Sequence, residues 1–270
     1  MCIFVSIISV VLALSSGVSS DINPDRVAVV LSRGRSGSTE LISLVNNIAN
    51  GYLHSELFGG NAEKMAELKD PLDRMIKFLE KSQKAYPHHM VGFKWKPYYE
   101  DENYDKVWDW LAKTGAKVVF NHRNPLDKYI SVTRAHSEKG QFNCVVGDTK
   151  CLNTQKPLKV EIDTATVISH LEEYNAETNA TLKKLHDKKI NHFVITYEQI
   201  NHGTMEDRLA HVQKLADFLL AKKKVRKILD ESVFEVKTEY IGHYHQNETV
   251  SNYDELVRVL QGSPFQNLLH

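Results

Sequence analysis

The chain of 270 residues has no net charge, since 34 Lys and Arg stand against 34 Asp and Glu. That balance excludes bulk nucleic-acid binding and a permanently polyanionic partner, so any anion site has to be local. Long apolar runs are missing too. The stretch Ile3–Leu14 is too short to cross a bilayer. There are no internal repeats, and cysteine is down to three residues. The nucleotide-binding pattern GxxxxGK[ST] is absent, because no lysine precedes Ser38-Thr39 and the glycines before it stand too close together. A magnesium-nucleotide site also wants an aspartate at the end of a second buried strand. The later strands end instead in Asn121-His122-Arg123 and Tyr197-Glu198. A magnesium-dependent kinase or NTPase is therefore disfavoured.

What remains is 42% hydrophobic and 25% charged, which fits one globular α/β domain over residues 21–270 with a sizeable core. Its organising stretch is Val27–Val45, VAVVLSRGRSGSTELISLV. A buried strand over Val27–Leu31 runs into a polar loop and then a helix with Leu41, Leu44 and Val45 at helical spacing. Gly34 and Gly37 let the loop curl, and Ser36, Ser38 and Thr39 supply hydroxyls. The helix start points free N–H groups and about half a positive charge into that curl. Arg33 and Arg35 add full charges, so a phosphate or sulfate is the natural occupant.

Further strands are expected at Met90–Trp95, Lys117–His122 and His192–Glu198, with Met90–Trp95 counted as the second. Helices are expected within Asn61–Tyr86 and at Asn103–Thr114, Leu126–Ser137, Thr164–Lys188, Leu209–Leu220 and Asn252–Gln261. Strands alternating with helices predict an α/β fold, a parallel β-sheet flanked by helices on both faces. Lys94 and Lys96 either line the ligand cleft or form a solvated strand end, and the second reading is preferred. Lys222-Lys223-Lys224 reads as a solvated face, and His243 and His245 lack a third partner for a metal.

Arg35-Ser36-Gly37-Ser38-Thr39 resembles the 5′-phosphosulfate loop of sulfotransferases, in the form written by their carbohydrate-modifying branches. Arg123, just after a strand, and Ser131, eight residues on along a helix, resemble the 3′-phosphate site of that family. Glu56-Leu57-Phe58 is similar to the segment that carries its catalytic glutamate, and Tyr197-Glu198-Gln199-Ile200 to a later shared segment. The resemblance runs from about Val27 to Ile200.

It implies a P-loop NTPase-like sulfotransferase fold and transfer of a sulfuryl group from 3′-phosphoadenosine 5′-phosphosulfate, leaving adenosine 3′,5′-bisphosphate, with no metal. It makes Glu56 the base with His54 as the alternative, and Arg35 the charge-neutralising group. Arg35, Ser36, Gly37, Ser38, Thr39, Glu40, Arg123, Ser131 and Tyr197 would hold the donor, with Tyr197 either beside the adenine or in the core. A carbohydrate or glycoconjugate acceptor is implied. The lysine-bearing loop of the cytosolic branch is absent, which disfavours steroids and phenols. A non-catalytic binding protein on the same fold is the other open class.

Residues 1–20 read as a cleaved signal peptide or a short signal-anchor, with membrane contact only if they are retained. Cys144 and Cys151 then form an even pair suited to a bridge, and Asn179-Ala-Thr181 and Asn247-Glu-Thr249 are glycosylation sequons. Together they predict the secretory pathway, in the Golgi lumen or secreted.

Overall fold

The computed structural model describes residues 21–58, 70–96, 102–137, 159–221, 228–234 and 245–269. The N-terminal segment, both cysteines of the pair, residues 59–69 and 138–158, the lysine run and His243 lie outside them.

Five strands form one all-parallel sheet: β1 (Val27–Ser32), β2 (Gly51–His54), β3 (Met90–Trp95), β4 (Lys117–His122) and β5 (His192–Thr196), in the order β2-β3-β1-β4-β5. Central β1 pairs on both sides, with Val29 opposite Phe93 of β3 and Val118 of β4. All six residues of β1 are buried, as expected of a strand covered on both faces. Val27, Val29 and Leu31 face one layer, built on α2 (Pro71–Ala85) and α3 (Glu102–Thr114). Ala28 and Val30 face the other, built on α1 (Ser38–Ala49) and the later helix Met205–Leu219. The period of two in one strand thus assigns each residue to a layer.

Between β4 and β5 run α4 (Pro125–His136) and the long α5 (Val167–Asp187). Short α6 (Tyr197–Asn201) precedes α7 (Met205–Leu219), and α8 (Gln246–Thr249) and α9 (Tyr253–Leu260) follow. Leu126 and Ile130 of α4, Leu171 of α5 and Leu256 and Leu260 of α9 make a third apolar cluster. A parallel bridge between Val160 and Val250 ties the approach to α5 to this C-terminal part.

Local chemistry accounts for the helix ends. Asn124 accepts from the amides of Leu126 and Asp127 ahead of Pro125, whose missing N–H costs nothing in the first turn. Gly115 closes α3 at φ 68°, a left-handed position that suits glycine.

The structure corrects two expectations. Gly51–His54 is a strand, so Met90–Trp95 is the third and not the second. With four residues, one buried side chain and hydrogen bonds to β3 alone, β2 carries no periodic signal. Tyr197 and Glu198 open a helix instead of ending a strand, because Thr196 and Gln199 form a reciprocal capping box there.

The chain leaves β1 for β2 on one side and later crosses to β4 on the other. That reversal opens a crevice at the carboxyl ends of β3, β1 and β4, the usual ligand position in such sheets.

Gly92 stands where β3 meets β1. A Cβ there would lie 1.7 Å from the carbonyl oxygen of Ala28, which is backbone and has no room to yield. Gly92→Ala is expected to destabilise the fold by about 3 kcal/mol, read as a lowered urea midpoint.

Candidate functional site

The loop from Arg33 to Gly37 joins β1 to α1 at the centre of the crevice. Arg35 and Gly37 both have left-handed backbones, at φ 65° and 75°. For an arginine that conformation costs about 1 kcal/mol, so the surroundings must impose it. Asn121, at the end of β4, donates from Nδ2 to the carbonyl oxygen of Ser36 at 2.7 Å. The Ser36 hydroxyl reaches the carbonyl oxygen of Arg33 at 2.6 Å and lies 2.6 Å from the Ser32 hydroxyl. Ser36 is thus spent on shaping the loop. No side chain caps α1, whose N-cap is Gly37, so its first amides are left to the crevice. Ser38 is buried there and Thr39 exposed.

Two arginines meet over this helix start. Arg35 donates from Nε to the Ser131 hydroxyl of α4 at 3.0 Å, and Arg123 donates from Nη1 to the carbonyl oxygen of Arg35 at 3.5 Å. The Arg123 guanidinium lies 4.2 Å from the centre of the Tyr197 ring. That ring also backs onto Gly37, where a Cβ would stand 2.3 Å from Tyr197 Cδ2. Among the described residues the buried Arg123 Nε has no hydrogen-bond partner. Among the described residues no carboxylate forms an ion pair with Arg35 or Arg123. Burial, and then the charge of Arg123, lower the pKa of Arg35. Burial pushes the Tyr197 hydroxyl up to about 12, so it stays protonated.

The structure therefore joins Arg35, Gly37, Arg123, Ser131 and Tyr197 in one place. Arg35 of the loop and Ser131 of α4 touch directly. Arg33 does not belong to the cradle. Its guanidinium pairs with Glu177 of α5 at 2.8 Å, a partner 144 residues away. Glu198 is an anchor, accepting the Asn124 amide at 2.9 Å.

Glu40 accepts from Asn201 of α6 at 2.9 Å and is buried. Burial raises its pKa to about 7, against the opposing pull of Asn201, Arg208 and Arg123.

On the other side of β1, Glu56 follows β2 into the crevice. It meets Lys94 at 2.7 Å and Lys96 at 2.6 Å. Burial works to raise its pKa, but hydrogen bonds and charge from the two lysines outweigh this and hold it below the usual carboxylate value. These lysines are not a solvated strand end: the Lys94 side chain is 8% exposed and clamped on Glu56. His54 is exposed and packs edge-on to Phe78 of α2. The sheet order sets Glu56 and its lysines, the loop and the Arg123 group in a row along the crevice.

Beside Arg123 a cavity of about 460 Å³ opens between β4, α4 and α5. Lys128 lines it, its ammonium 3.7 Å from the Tyr174 ring centre and 3.8 Å from Glu177. Burial brings Lys128 down to about 8, with Glu177 opposing and Arg33 assisting. The roles of Asn121 and Lys128, and the clamp of Lys94 on Glu56, were not read from sequence. Asn121 had a signal in its place two residues before Arg123 at a strand end, and Lys94 in its place at the end of β3. Among the described residues no three His, Cys, Asp or Glu side chains group to hold a metal, and no helix is long and apolar enough to cross a membrane.

No family model and no curated protein matches the chain. Among solved structures it is similar to retinol dehydratase in complex with retinol and PAP, at 20% identity and a TM-score of 0.37, over 78% of this chain and 62% of that one. A second retinol dehydratase structure, with androsterone and the inactive cofactor PAP, overlaps at 19% identity and a TM-score of 0.38, over 86% and 70%. The chain thus spans less than two thirds of the first of these, and neither likeness assigns it to a family.

Glu40 is expected to make stability depend on pH. Its folded pKa lies above the unfolded value of about 4.5, so its contribution is complete below pH 4.5 and is lost as pH rises through 7. The loss amounts to about 3 kcal/mol. Urea unfolding of the wild type and Glu40→Gln should differ by a gap that changes between pH 4.5 and 7 and levels off above.

Proposed function

We propose that this chain is a sulfotransferase that moves a sulfuryl group from 3′-phosphoadenosine 5′-phosphosulfate to a hydroxyl of a carbohydrate or glycoconjugate. The observation that carries the reading is the pair Arg35 and Arg123, set over a helix start with no side-chain cap and, among the described residues, no carboxylate paired to either. Two adjacent cations at such a place call for a strongly anionic ligand, and the orphaned Arg123 Nε supplies a donor for it. The residues present fit a donor with phosphate at two positions. The amides of Ser38 and Thr39, with Arg35, would hold the 5′ end. Arg123 and Ser131 would hold the 3′-phosphate, and Tyr197 would keep Arg123 aimed.

The donor supplies the sulfuryl group and departs as adenosine 3′,5′-bisphosphate. The protein contributes position and charge. Glu56, kept ionised by Lys94 and Lys96, takes the proton of the attacking hydroxyl. The new bond forms between that oxygen and sulfur, and the sulfur–phosphate oxygen bond breaks, leaving its electron pair on the phosphate. Arg35 and the helix amides then face the growing negative charge, as preorganised donors that need no reorientation. The arginines take the charge-neutralising part that magnesium plays in kinases. A low pKa weakens Glu56 as a base but guarantees its proton-free form at neutral pH.

The apolar leader and the two sequons support a place in the secretory pathway. The structure describes Asn179 and Asn247 as exposed, which sequon use requires.

Two variants test the reading. Arg123→Ala should weaken adenosine 3′,5′-bisphosphate about a hundredfold by calorimetry and adenosine 5′-phosphosulfate far less; equal losses would sink the 3′-phosphate assignment. Glu56→Gln should cut labelled sulfate transfer at least a hundredfold with bisphosphate affinity unchanged. Retained transfer would pass the proton to His54. Wild-type protein that is stabilised by Mg-ATP and not by the bisphosphate would overturn the proposal.

A further inference from the structure

The proposed chemistry leaves Glu40 without a task, yet this residue stands in the first turn of α1, whose amides face the crevice. It is 6% exposed, and among the described residues no lysine, arginine or histidine forms an ion pair with it. Asn201 of α6, a neutral side chain, donates to it from Nδ2 at 2.9 Å. Charged and titratable groups face it from the elements around: Arg208 from α7, Arg123 from the end of β4 and Tyr197 from α6. Arg208 is held elsewhere, donating from Nε to the carbonyl oxygen of Ile200 at 2.6 Å with its guanidinium 4.2 Å from the Phe234 ring centre. Glu198 of α6 is turned to the Asn124 amide, and His202 is exposed, edge-on to the Tyr197 ring at 6.1 Å.

The Asn201 amide that holds Glu40 also donates to the carbonyl oxygen of Tyr197 at 3.1 Å, and the Tyr197 ring lies against Arg123 and Gly37. Glu40 is therefore joined to both sides of the anion cradle. Its own helix leads to the amides of Ser38 and Thr39, and Asn201 and Tyr197 lead to Arg123. A negative ligand in the cradle and a negative Glu40 would share the field of Arg123, and each disfavours the other. A proton on Glu40 removes that conflict. Burial already brings its pKa to about 7, so the proton is within reach near neutral pH.

We infer that the cradle binds its anion together with a proton, taken from solvent onto the Glu40 carboxyl, so that the grip on the donor tightens as pH falls through neutrality. The inference rests on the transferase reading for the identity of the anion and adds the proton as a regulator of that site. Glu40 acts through Arg123 and touches no reacting atom, which makes it a positioning residue.

The test is calorimetric titration of the full chain, wild type and Glu40→Gln, with adenosine 3′,5′-bisphosphate and separately with sodium sulfate. Both are run at pH 5.5, 7 and 8.5 and constant ionic strength. Glutamine keeps the shape of the protonated carboxyl at every pH. The bisphosphate itself titrates near about pH 6, and the ratio of the wild-type Kd to the variant Kd cancels that. The ratio is expected to be about one at pH 5.5 and about ten at pH 8.5, one pKa unit of coupling. A ratio that does not change with pH overturns the inference, because a purely structural Glu40 alters affinity by the same factor throughout. A variant that binds more weakly than the wild type at pH 8.5 overturns it too, since ionised Glu40 would then assist the anion. Asn201→Leu, which removes a hydrogen bond favouring the ionised form, should move the midpoint of the affinity change to higher pH. An unmoved midpoint overturns the inference even if Glu40→Gln fails to fold. Wild-type protein that binds sulfate but not the bisphosphate refutes the transferase reading, and the sulfate ratios still decide the proton linkage. Protein that binds neither anion overturns both.

Discussion

Two arginines close enough to feel each other's charge, with no carboxylate ion-paired to either among the described residues, are the constraint around which this site is arranged. Burial, and then the charge of Arg123, disfavour the charged form of Arg35, as its lowered pKa reflects. The rest of the site keeps them together. Asn121 fixes the loop that carries Arg35, the Tyr197 ring supports Arg123 from below, and Gly37 leaves room for that ring. Such preorganised strain is what a protein accepts where a ligand relieves it.

The acidic residues around the crevice follow a consistent division. Glu56 is tied to two lysines, Glu177 to Arg33, Glu198 to a backbone amide and Glu40 to Asn201. Each satisfies a neighbour, and among the described residues none forms an ion pair with the two arginines, although the charge of Arg123 acts on Glu40. An anion there meets two internal partners among the described residues, the Ser131 hydroxyl, which receives a hydrogen bond from Arg35, and the Arg35 carbonyl oxygen, which receives one from Arg123.

The parallel sheet and its helices were legible because buried strands and amphipathic helices leave periodic patterns in the chain. The loop was legible because its glycines and hydroxyls are local. What escaped was non-local. Strand β2 has its meaning only beside β3, so four residues with one buried side chain carried no signal. Arg33 looked like part of the cradle until α5 brought Glu177 to it. Lys94 looked solvated because the sequence does not show that Glu56 returns to the same strand end. Glu40, in a first helical turn, read as a donor-binding residue, whereas its depth shows only once α6 is packed on it.

One tether reaches further than its size suggests. Asn124, the residue after Arg123, donates to the carbonyl oxygen of Leu268, which also receives the Gln246 amide. Chain order and assembly order therefore diverge at this point. A ribosome delivers the central loop and Arg123 early, but the bracket behind them closes only when the segment around residue 268 has emerged. A nascent chain halted between the two would hold a finished sheet and an unfinished crevice.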